Sequence, residues 1–327
     1  MTHKIYISQP IPENALKILR DGGLEVETNT DNRVLEKSEL MQAIQGKDGL
    51  LSLLTDTVDA EVLSANPNLK IVSNYAVGYN NIDVQAATER NILVTNTPGV
   101  LTETTADLAF ALLMASARKL LEADKFTRAG KFHKWEPLGF LGQDIHGATL
   151  GIVGAGKIGT ATARKGHKGF GMRILYFDPN ENDYLNNELQ ATKVSLEELL
   201  QESDFVSLHV PLIEKTHHLI GAQELSLMKP TAYLINTARG PVVDEATLAE
   251  ALQKGTIAGA GLDVYENEPD VHPDLLNLDN VILAPHIASA SIHTRQEMAR
   301  IAAENIVAFF EGEDIPSPVN PEILSHS

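Results

Sequence analysis

The sequence predicts an α/β fold with two doubly wound domains, each built on a parallel sheet. Three observations lead to this prediction. Short apolar, β-branched segments alternate with helical patterns along the chain, which is the arrangement of repeated βαβ units. A glycine-rich turn follows one of these segments near the middle of the chain. The length of 327 residues is sufficient for two domains of ordinary size.

The first hundred residues alternate between strand and helical patterns, which predicts parallel strands joined by right-handed crossovers. The predicted strands cover residues 4–8, 24–28, 49–54, 70–74 and 92–95, and the predicted helices cover 13–21, 37–45, 58–64 and 83–89. These elements are expected to form a complete small α/β domain. The segment contains no glycine-rich phosphate-binding fingerprint.

One long helix is predicted over 102–130, and Gly130 is expected to end it. Its middle part, 108–117, is apolar enough to be buried, either between domains or in a subunit interface. The next segment, 131–147, contains the only tryptophan, Trp135, together with several glycines. It is expected to be a loop.

A glycine-rich turn follows the strand predicted at 150–153. Gly154, Gly156 and Gly159 have the G-x-G-x-x-G spacing, and a second predicted strand leads to Asp178. Gly154 permits the tight turn, Gly156 lets a pyrophosphate approach bare backbone, and Gly159 lets the helix pack close to the strand. The helix N-terminus offers N–H groups and a positive dipole end to the phosphates. An ordinary structural turn would not require all of these features, so the segment predicts a dinucleotide site.

Asp178 bears on which dinucleotide binds. A carboxylate at this position would accept hydrogen bonds from the adenosine ribose and would repel the 2′-phosphate of NADP. The residues that follow, 179–183, include no arginine that could hold that phosphate. The sequence therefore predicts that NAD(H) is preferred and that NADP(H) is less favoured.

The second half of the chain continues the same alternation. Further strands are predicted at 173–177, 204–210, 232–237, 259–263 and 281–284, and helices at 196–202, 222–228, 245–254 and 292–311. We therefore expect a second α/β domain. The active site is expected in a cleft between the two domains, because α/β proteins usually hold their ligands in such clefts.

The composition is typical of a soluble globular protein and excludes several classes of function. A net charge of −18 argues against nucleic acid and anionic membranes as partners, because both would repel the protein. The absence of cysteine excludes disulfides, thiolate catalysis and cysteine-ligated metals. No apolar run is long enough for a membrane span or a signal peptide, so the protein is expected in the cytoplasm.

Three histidines lie close together in the sequence without a metal-binding pattern. His209, His217 and His218 do not have the HExxH spacing or a similar one. We interpret them as surface or packing residues, and no metal site is predicted.

Three polar residues follow predicted strands in the second half of the chain: Arg239, Glu268 and His286. Reduction of a keto acid requires a cation that holds the carboxylate and polarises the carbonyl, and a proton donor suited to neutral pH. It also requires a carboxylate that keeps the donor protonated. Arg239, His286 and Glu268 could fill these roles in that order. Each residue also has an ordinary alternative, as a surface arginine, a solvated loop acid and a helix-start histidine.

The turn after the predicted strand 70–74 contains Gly78. Its backbone N–H groups are expected to face the cleft, where they could bind a carboxylate. An ordinary strand-to-helix turn is the alternative.

Taken together, these segments resemble the D-isomer-specific 2-hydroxyacid dehydrogenase family over essentially the whole chain. The markers are NYAVGYNNID (74–83), the fingerprint at 151–159, HVPL (209–212), NTARGPVVDE (236–245), GLDVYENEP (261–269) and APHIASAS (284–291). Within the family, the segments 97–118 and 135–147 are most similar to the glyoxylate/hydroxypyruvate reductases. Glu268 stands where formate dehydrogenases carry glutamine, and Ala288 replaces a common glycine.

The resemblance implies specific roles for the residues of the site. Arg239 would bind the substrate carboxylate and carbonyl, His286 would be the general acid/base, and Glu268 would be its partner. Leu54, Val77 and Gly78 would also contact the substrate, the latter two through the backbone. The cofactor contacts would be Gly154, Gly156, Lys157, Ile158, Gly159, Asp178, Pro211, Thr216, Thr237, Ala238, Asp263 and Thr105.

The resemblance also implies how the chain is divided. A flavodoxin-like substrate domain would comprise 1–101 and 288–327, and a Rossmann NAD-binding domain would comprise 102–287. Homodimerisation through 102–130 is implied, and Trp135 would then reach the partner's active site.

The expected activity is reduction of small 2-keto acids, glyoxylate and hydroxypyruvate, to D-2-hydroxy acids with NAD(P)H. One alternative is a D-lactate or other 2-ketoacid dehydrogenase. The other is a catalytically silent NAD-sensing corepressor or scaffold, since this fold also serves binding functions. Many eukaryotic glyoxylate reductases have an arginine where this chain has Asp178, which argues against NADPH here.

Overall fold

The computed structural model describes residues 2–31 and 33–326, which divide into two compact units. Unit 1 comprises the residues up to Leu101 together with those from Ala290 onward, and unit 2 comprises Thr102–Ser289. Each unit is built on one parallel sheet flanked by helices. The predicted α/β class with two doubly wound sheets is therefore confirmed.

Unit 1 contains a five-stranded parallel sheet with the order β2-β1-β3-β4-β5. Its strands are β1 (Lys4–Ile7), β2 (Glu25–Thr28), β3 (Gly49–Ser52), β4 (Ile71–Asn74) and β5 (Leu93–Thr95). Its helices are α1 (Glu13–Asp21), α2 (Lys37–Ala43), α3 (Ala60–Ala65), α4 (Val84–Glu89) and a C-terminal helix, Ile292–Glu311. This strand order is the flavodoxin-like one, in which ligands bind at the carboxyl ends of the strands.

The residues of unit 1 explain where its elements form. Every residue of β3, β4 and β5 is buried, as expected for parallel strands covered on both faces. Asp59 and Asp83 begin α3 and α4 by accepting N–H groups of the first turn. The C-terminal helix packs on this sheet, and its Ala302 carbonyl accepts a 2.9 Å hydrogen bond from the Ser73 hydroxyl. The last segment of the chain thus completes the first sheet.

Unit 2 contains a seven-stranded parallel sheet with the order β12-β11-β10-β9-β6-β7-β8. Its strands are β6 (Thr149–Val153), β7 (Arg173–Phe177), β8 (Thr192–Lys193), β9 (Phe205–Leu208), β10 (Tyr233–Asn236), β11 (Gly259–Leu262) and β12 (Val281–Leu283). Its helices are α5 (Thr102–Ala117), α6 (Leu120–Arg128), α7 (Lys157–Phe170), α8 (Asp183–Leu189), α9 (Leu196–Glu202), α10 (Ala222–Leu227) and α11 (Glu245–Lys254). Two apolar clusters of buried side chains belong to this unit.

The prediction of one continuous helix over 102–130 is wrong. The chain forms α5 and α6 instead, because Lys119 takes a left-handed conformation with φ of 50°. The carbonyl of Ala117 accepts a hydrogen bond from the N–H of Gln143 at 2.9 Å, rather than from an N–H of a further turn of the same helix. The loop that follows α6 in sequence therefore ends α5, and sequence periodicity gives no sign of such a contact.

Two short elements, α8 and β8, were not predicted from the sequence. Asn182 caps α8 by accepting the N–H of Leu185, and β8 pairs with β7 over two residues. In the part of the chain that is described, none of the helices combines the length and apolarity that crossing a bilayer requires.

Candidate active site

The glycine-rich turn joins β6 to α7 and leaves no room for side chains at two of its three glycines. Gly154 has φ of 98°, and a Cβ atom there would lie 2.8 Å from the carbonyl carbon and oxygen of His209. A Cβ atom at Gly159 would lie 2.0 Å from the carbonyl oxygen of Gly154. At Gly156, by contrast, a Cβ atom would meet nothing within 4 Å. The turn therefore packs tightly on its inner side and is open at Gly156.

The open side of the turn is the N-terminus of α7. Gly156 is the N-cap residue, and it has no side chain that could accept the N–H groups of the first turn. Lys157 and Ile158 are the first residues of the helix. A pyrophosphate fits this position, because the helix dipole and the N–H groups both favour an anion there.

Asp178 follows β7 and closes the turn from the neighbouring strand. Its Oδ2 accepts the N–H of Ala155 at 2.9 Å, and its Oδ1 accepts the N–H of Asn180 at 2.9 Å. Each carboxylate oxygen has further acceptor capacity, so the carboxylate can still bind ribose hydroxyls. Nearby, Asn182 donates from Nδ2 to the Ala155 carbonyl at 2.8 Å. The arrangement agrees with an adenosine ribose held beside the turn.

Lys193 is a cation near Asp178 that the sequence reasoning missed. Its ammonium donates to the carbonyl of Pro179 at 3.2 Å and lies 3.5 Å from Glu181. Lys193 belongs to β8, and only the pairing of β8 with β7 brings it to this loop. Its position bears on the choice between NAD and NADP, because a cation here could attract a 2′-phosphate.

The other residues predicted to contact the cofactor lie at strand ends and in loops of unit 2. Thr237 follows β10, and its buried Oγ1 has no hydrogen-bond partner among the described residues. Thr216 accepts the N–H of Ile213 at 2.9 Å and donates to the Pro211 carbonyl at 2.6 Å, which closes that loop. Ala238 donates its N–H to Asn236 Oδ1, and Thr105 is buried in α5. The unpaired buried hydroxyl of Thr237 and the glycine turn that is open at Gly156 both fit a bound dinucleotide.

His286 and Glu268 form the central pair of the candidate site. His286 Nδ1 and Glu268 Oε2 are 2.7 Å apart in a hydrogen bond, and both side chains are about one quarter to one third exposed. The other carboxylate oxygen, Oε1, accepts the N–H of Tyr265 at 3.1 Å. Since Nδ1 is occupied, Nε2 is the ring nitrogen left to exchange a proton with a ligand.

The turn that carries His286 is held by a buried carboxylate. His286 follows β12 and has φ of 53°. Asp263 Oδ1 accepts the N–H of Ile287 at 2.7 Å, and its Oδ2 accepts the N–H of Ala288 at 2.8 Å. Burial raises the pKa of Asp263, and these two N–H groups oppose the rise. Asp263, predicted as a cofactor contact, therefore fixes the turn that carries His286.

Arg239 is brought to the same cluster by a close backbone approach. A Cβ atom at Gly240 would lie 1.8 Å from the carbonyl carbon of Tyr265, so the turn after β10 touches the loop that carries Glu268. Burial lowers the pKa of the Arg239 guanidinium, and the charge of Glu268 opposes this effect. Asn236 fixes the local backbone by donating from Nδ2 to the Arg239 carbonyl at 2.9 Å. A half-buried cation thus lies beside the acid of the pair.

The surroundings of Glu268 favour its ionised form. Burial by itself would raise the pKa of the Glu268 carboxyl. The hydrogen bond and charge of His286, the N–H of Tyr265 and the charge of Arg239 outweigh burial, and the pKa lies below its ordinary value. Glu268 is therefore a carboxylate at neutral pH, and its negative charge faces the imidazole.

His218 and Glu266 form a second histidine–carboxylate pair, in which Glu266 lies two residues before Glu268 in sequence. His218 Nε2 pairs with Glu266 Oε1, the N–H of Glu266 donates to Glu245 Oε1 at 2.6 Å, and Glu266 Oε2 accepts the N–H of Glu245 at 3.1 Å. These contacts fix the loop that leads to Glu268. The sequence predicts a surface or packing role for His218, and sequence spacing gives no sign of its hydrogen bond to Glu266.

His209 lies behind the glycine-rich turn. Burial lowers its pKa to about 3, so the ring is neutral at pH 7. Its Nε2 is 2.8 Å from the Ser207 hydroxyl. Across residues 2–31 and 33–326, no group of three or more histidine or acidic side chains is arranged to hold a metal ion.

The residues of unit 1 that were predicted to contact the substrate follow neighbouring strands. Leu54 lies just after β3, and Val77 and Gly78 lie in the turn after β4. All three are half-buried. Their position agrees with a ligand site at the carboxyl edge of the sheet.

Comparison with known proteins matches this chain to one family. The family model described as D-isomer specific 2-hydroxyacid dehydrogenase, NAD binding domain, matches residues 110–288. The chain is 54% identical over 327 residues to the glyoxylate reductase of Korarchaeum cryptofilum, covering 99% of this chain and 98% of that protein. It is 51% identical to the glyoxylate reductase of Thermococcus onnurineus, with the same two coverages.

A solved structure of high similarity is the NADPH-dependent glyoxylate/hydroxypyruvate reductase of Sinorhizobium meliloti in complex with NADP and malonate. Its TM-score with this chain is 0.87 at 35% sequence identity, and the superposition covers 98% of this chain and 97% of that one. The similarity thus extends over both units.

Two glycine substitutions in the turn should have different effects. Gly159→Ala should lower the unfolding temperature, because its Cβ atom would overlap the Gly154 carbonyl. Gly156→Ala should leave that temperature unchanged in the absence of ligand, yet weaken NADH binding about tenfold or more by crowding the phosphate position. Thermal unfolding and fluorescence titration with NADH measure the two effects. Wild-type affinity in Gly156→Ala would contradict the assignment of this turn.

Proposed function

Because the chain belongs to the D-isomer-specific 2-hydroxyacid dehydrogenase family, we propose that it reduces glyoxylate to its 2-hydroxy acid, and hydroxypyruvate likewise. The hydrogen bond between His286 and Glu268 beside the half-buried Arg239 carries this proposal. Identities of 54% and 51% to glyoxylate reductases over almost the whole chain support glyoxylate as the substrate. A D-lactate dehydrogenase and a silent NAD sensor are both less favoured by these similarities.

Arg239 has the chemistry to bind and polarise a 2-keto acid. A planar guanidinium can hold a carboxylate with two parallel hydrogen bonds, which an ammonium cannot do. Because Arg239 is half-buried, its charge is partly shielded from water and can stabilise charge on the carbonyl oxygen.

His286 is proposed as the general acid. A bound nicotinamide dinucleotide supplies the hydride in this reaction. As negative charge develops on the substrate oxygen, His286 donates the proton on Nε2 to that oxygen, while Nδ1 keeps its hydrogen bond to Glu268. The ionised Glu268 stabilises the imidazolium before the transfer and fixes the ring orientation. In the reverse direction the same Nε2 accepts the proton.

Unit 1 is proposed to supply further substrate contacts. The N–H groups of Val77 and Gly78 are suited to a carboxylate, since successive backbone N–H groups form an anion-binding concavity. Leu54 would contact the substrate's carbon atoms, and its bulk would favour short keto acids.

NADH is proposed as the preferred cofactor. The supporting observation is Asp178, whose carboxylate would repel a 2′-phosphate. Lys193 is the cation that could offset this repulsion, but its ammonium already interacts with Glu181 and the Pro179 carbonyl. The Sinorhizobium meliloti protein, in contrast, is NADPH-dependent.

A homodimer is proposed as the assembly. Large apolar side chains that are exposed in this chain concentrate between residues 114 and 141. They are Met114, Leu120, Leu121, Phe132, Trp135, Leu138, Phe140 and Leu141. A concentration of this kind is typical of an association surface, and it overlaps the segment 102–130 through which the family resemblance implies dimerisation.

Substrate and cofactor preference can be tested in one assay. We expect NADH oxidation to be fastest with glyoxylate and hydroxypyruvate, slower with pyruvate and slowest with a bulkier keto acid. We expect kcat/KM to be about tenfold or more higher with NADH than with NADPH, because the 2′-phosphate of NADPH would lie against Asp178.

Asp178→Ala should reduce this preference for NADH. Lys193→Ala is the control for a contribution of the nearby cation. Tight NADH binding without turnover of any keto acid would instead favour the sensor.

The pH profile should report on Glu268. Glu268→Gln keeps an oxygen for the Tyr265 N–H but removes the negative charge beside the imidazolium. The pH above which reduction declines should therefore move down. Because the Glu268 pKa lies below its ordinary value, protonation of Glu268 should not limit the wild type near neutral pH. His286→Ala is the reference variant, expected to lose about 100-fold or more in kcat while retaining NADH binding. An unchanged pH profile in Glu268→Gln would contradict the role of Glu268.

The association surface can be tested with two matched variants. Leu138 is 81% exposed within the 114–141 segment, and Ile292 is 82% exposed in unit 1. Leu138→Glu should raise the dimer dissociation constant about tenfold or more, because it places a charge in an apolar interface, whereas Ile292→Glu should not. Sedimentation velocity over a concentration series measures both. A monomeric wild type would refute the proposal.

A further inference from the structure

Three successive carbonyl groups in the turn after β4 are each held by a hydrogen bond. Each accepts a hydrogen bond from a residue outside the turn. The pairs are the Thr97 N–H with the Ala76 carbonyl at 2.9 Å, Asn96 Nδ2 with the Val77 carbonyl at 2.8 Å, and Asn74 Nδ2 with the Gly78 carbonyl at 2.9 Å. The orientation of three consecutive peptide groups is thereby fixed.

The orientation of these carbonyls determines where the N–H groups point. In a trans peptide the C=O and the following N–H point in opposite directions, and these peptides are trans. The N–H groups of Val77, Gly78 and Tyr79 therefore each point away from the donor that holds the carbonyl of the same peptide group. No backbone carbonyl within residues 2–31 and 33–326 accepts a hydrogen bond from them.

We propose that Asn74 and Asn96 are positioning residues that hold this turn in the shape required to bind the substrate's carboxylate. The inference rests on the proposed function, since it assigns the carboxylate to the N–H groups of Val77 and Gly78. Both residues act through neutral amides. Asn96 orients the peptide group that bears the Gly78 N–H, and Asn74 orients the peptide group that follows it. Neither amide adds a charge that would attract or repel an anion.

Asn96 is itself anchored by the end of the chain. Its carbonyl accepts the Ser317 hydroxyl at 2.6 Å and Asn305 Nδ2 at 3.2 Å, and its N–H donates to the Ser317 carbonyl at 3.3 Å. Asn305 is fully buried in the C-terminal helix. Because the backbone of Asn96 is fixed in this way, its side chain can fix the Val77 carbonyl.

Asn74 connects the turn to the loop after β3. It is fully buried, its Oδ1 accepts the Ser52 hydroxyl at 3.1 Å, and its Nδ2 also donates to Asn81 Oδ1 at 3.1 Å. Asn81 Nδ2 donates in turn to the Leu53 carbonyl at 3.0 Å. The residue next to Leu54 is thus tied to the same amide network, so that the two substrate-contacting segments of unit 1 are held together.

Asn96→Ala is the decisive variant, since Asn96 is only partly buried and its backbone anchors do not depend on its side chain. Asn66→Ala is the matched control. Asn66 is a buried asparagine of the same unit whose Nδ2 donates to the Ile44 and Lys47 carbonyls, each at 2.7 Å. Asn96→Ser is a second truncation that preserves a polar side chain. The measurements are KM and kcat for glyoxylate, the inhibition constant of oxalate, the Kd of NADH and the unfolding temperature.

In both Asn96 variants we expect the KM for glyoxylate and the inhibition constant of oxalate to rise about tenfold or more, in line with the loss of hydrogen bonds to a charged group. The Kd of NADH should remain within about twofold, because the dinucleotide contacts lie in unit 2. Asn66→Ala should lower the unfolding temperature without raising either constant. Unchanged KM and oxalate inhibition in both Asn96 variants would overturn the inference, as would an equal rise in Asn66→Ala.

The same experiment separates this inference from the proposed function. If the wild type does not reduce glyoxylate, the proposed function fails, and calorimetric titration of oxalate into wild type and Asn96→Ala then tests the turn directly. Weaker oxalate binding in Asn96→Ala would retain an anion-binding turn held by Asn96. Equal binding, or no binding to either protein, would overturn it.

Discussion

The candidate chemistry of this protein depends on the order of three strands. β10, β11 and β12 are neighbours in one parallel sheet and therefore end at the same edge. Arg239 follows β10, Glu268 follows β11 and His286 follows β12. Residues that are far apart in sequence become neighbours because parallel strands carry their connections to a common edge. Each of the three can then contribute a different chemical property to one place.

Strand order alone would not fix these side chains, because each of them lies in a loop. The loops are fixed by buried polar groups that each satisfy a specific backbone atom. Asp263 holds the turn of His286, Asn236 holds the turn of Arg239, and Glu245 holds the loop that leads to Glu268. A polar group that is buried without a partner is costly, so these contacts strongly favour one loop geometry. The precision of the site comes from this support.

Much of this architecture could be predicted from the sequence, because its signals are local. Alternating apolar segments gave the two parallel sheets, and the glycine spacing gave the turn before α7. The parts that could not be predicted depend on contacts between distant segments. The break at Lys119 accompanies a hydrogen bond from the N–H of Gln143 to the Ala117 carbonyl. Lys193 reaches the Pro179 carbonyl through strand pairing, and His218 contacts Glu266 across two loops. No local pattern of residue types encodes such contacts.

The discontinuity of unit 1 has a consequence for how the protein is made. Unit 2 is one continuous stretch of chain, whereas unit 1 needs both the first hundred residues and the C-terminal helix. During synthesis the N-terminal segment emerges first but lacks the helix that covers Ser73 and the residues that anchor Asn96. Unit 2 can therefore fold while unit 1 is still incomplete, although domains usually fold in the order of synthesis. The segment that is synthesised before unit 2 can thus complete its native contacts only after unit 2 has been made.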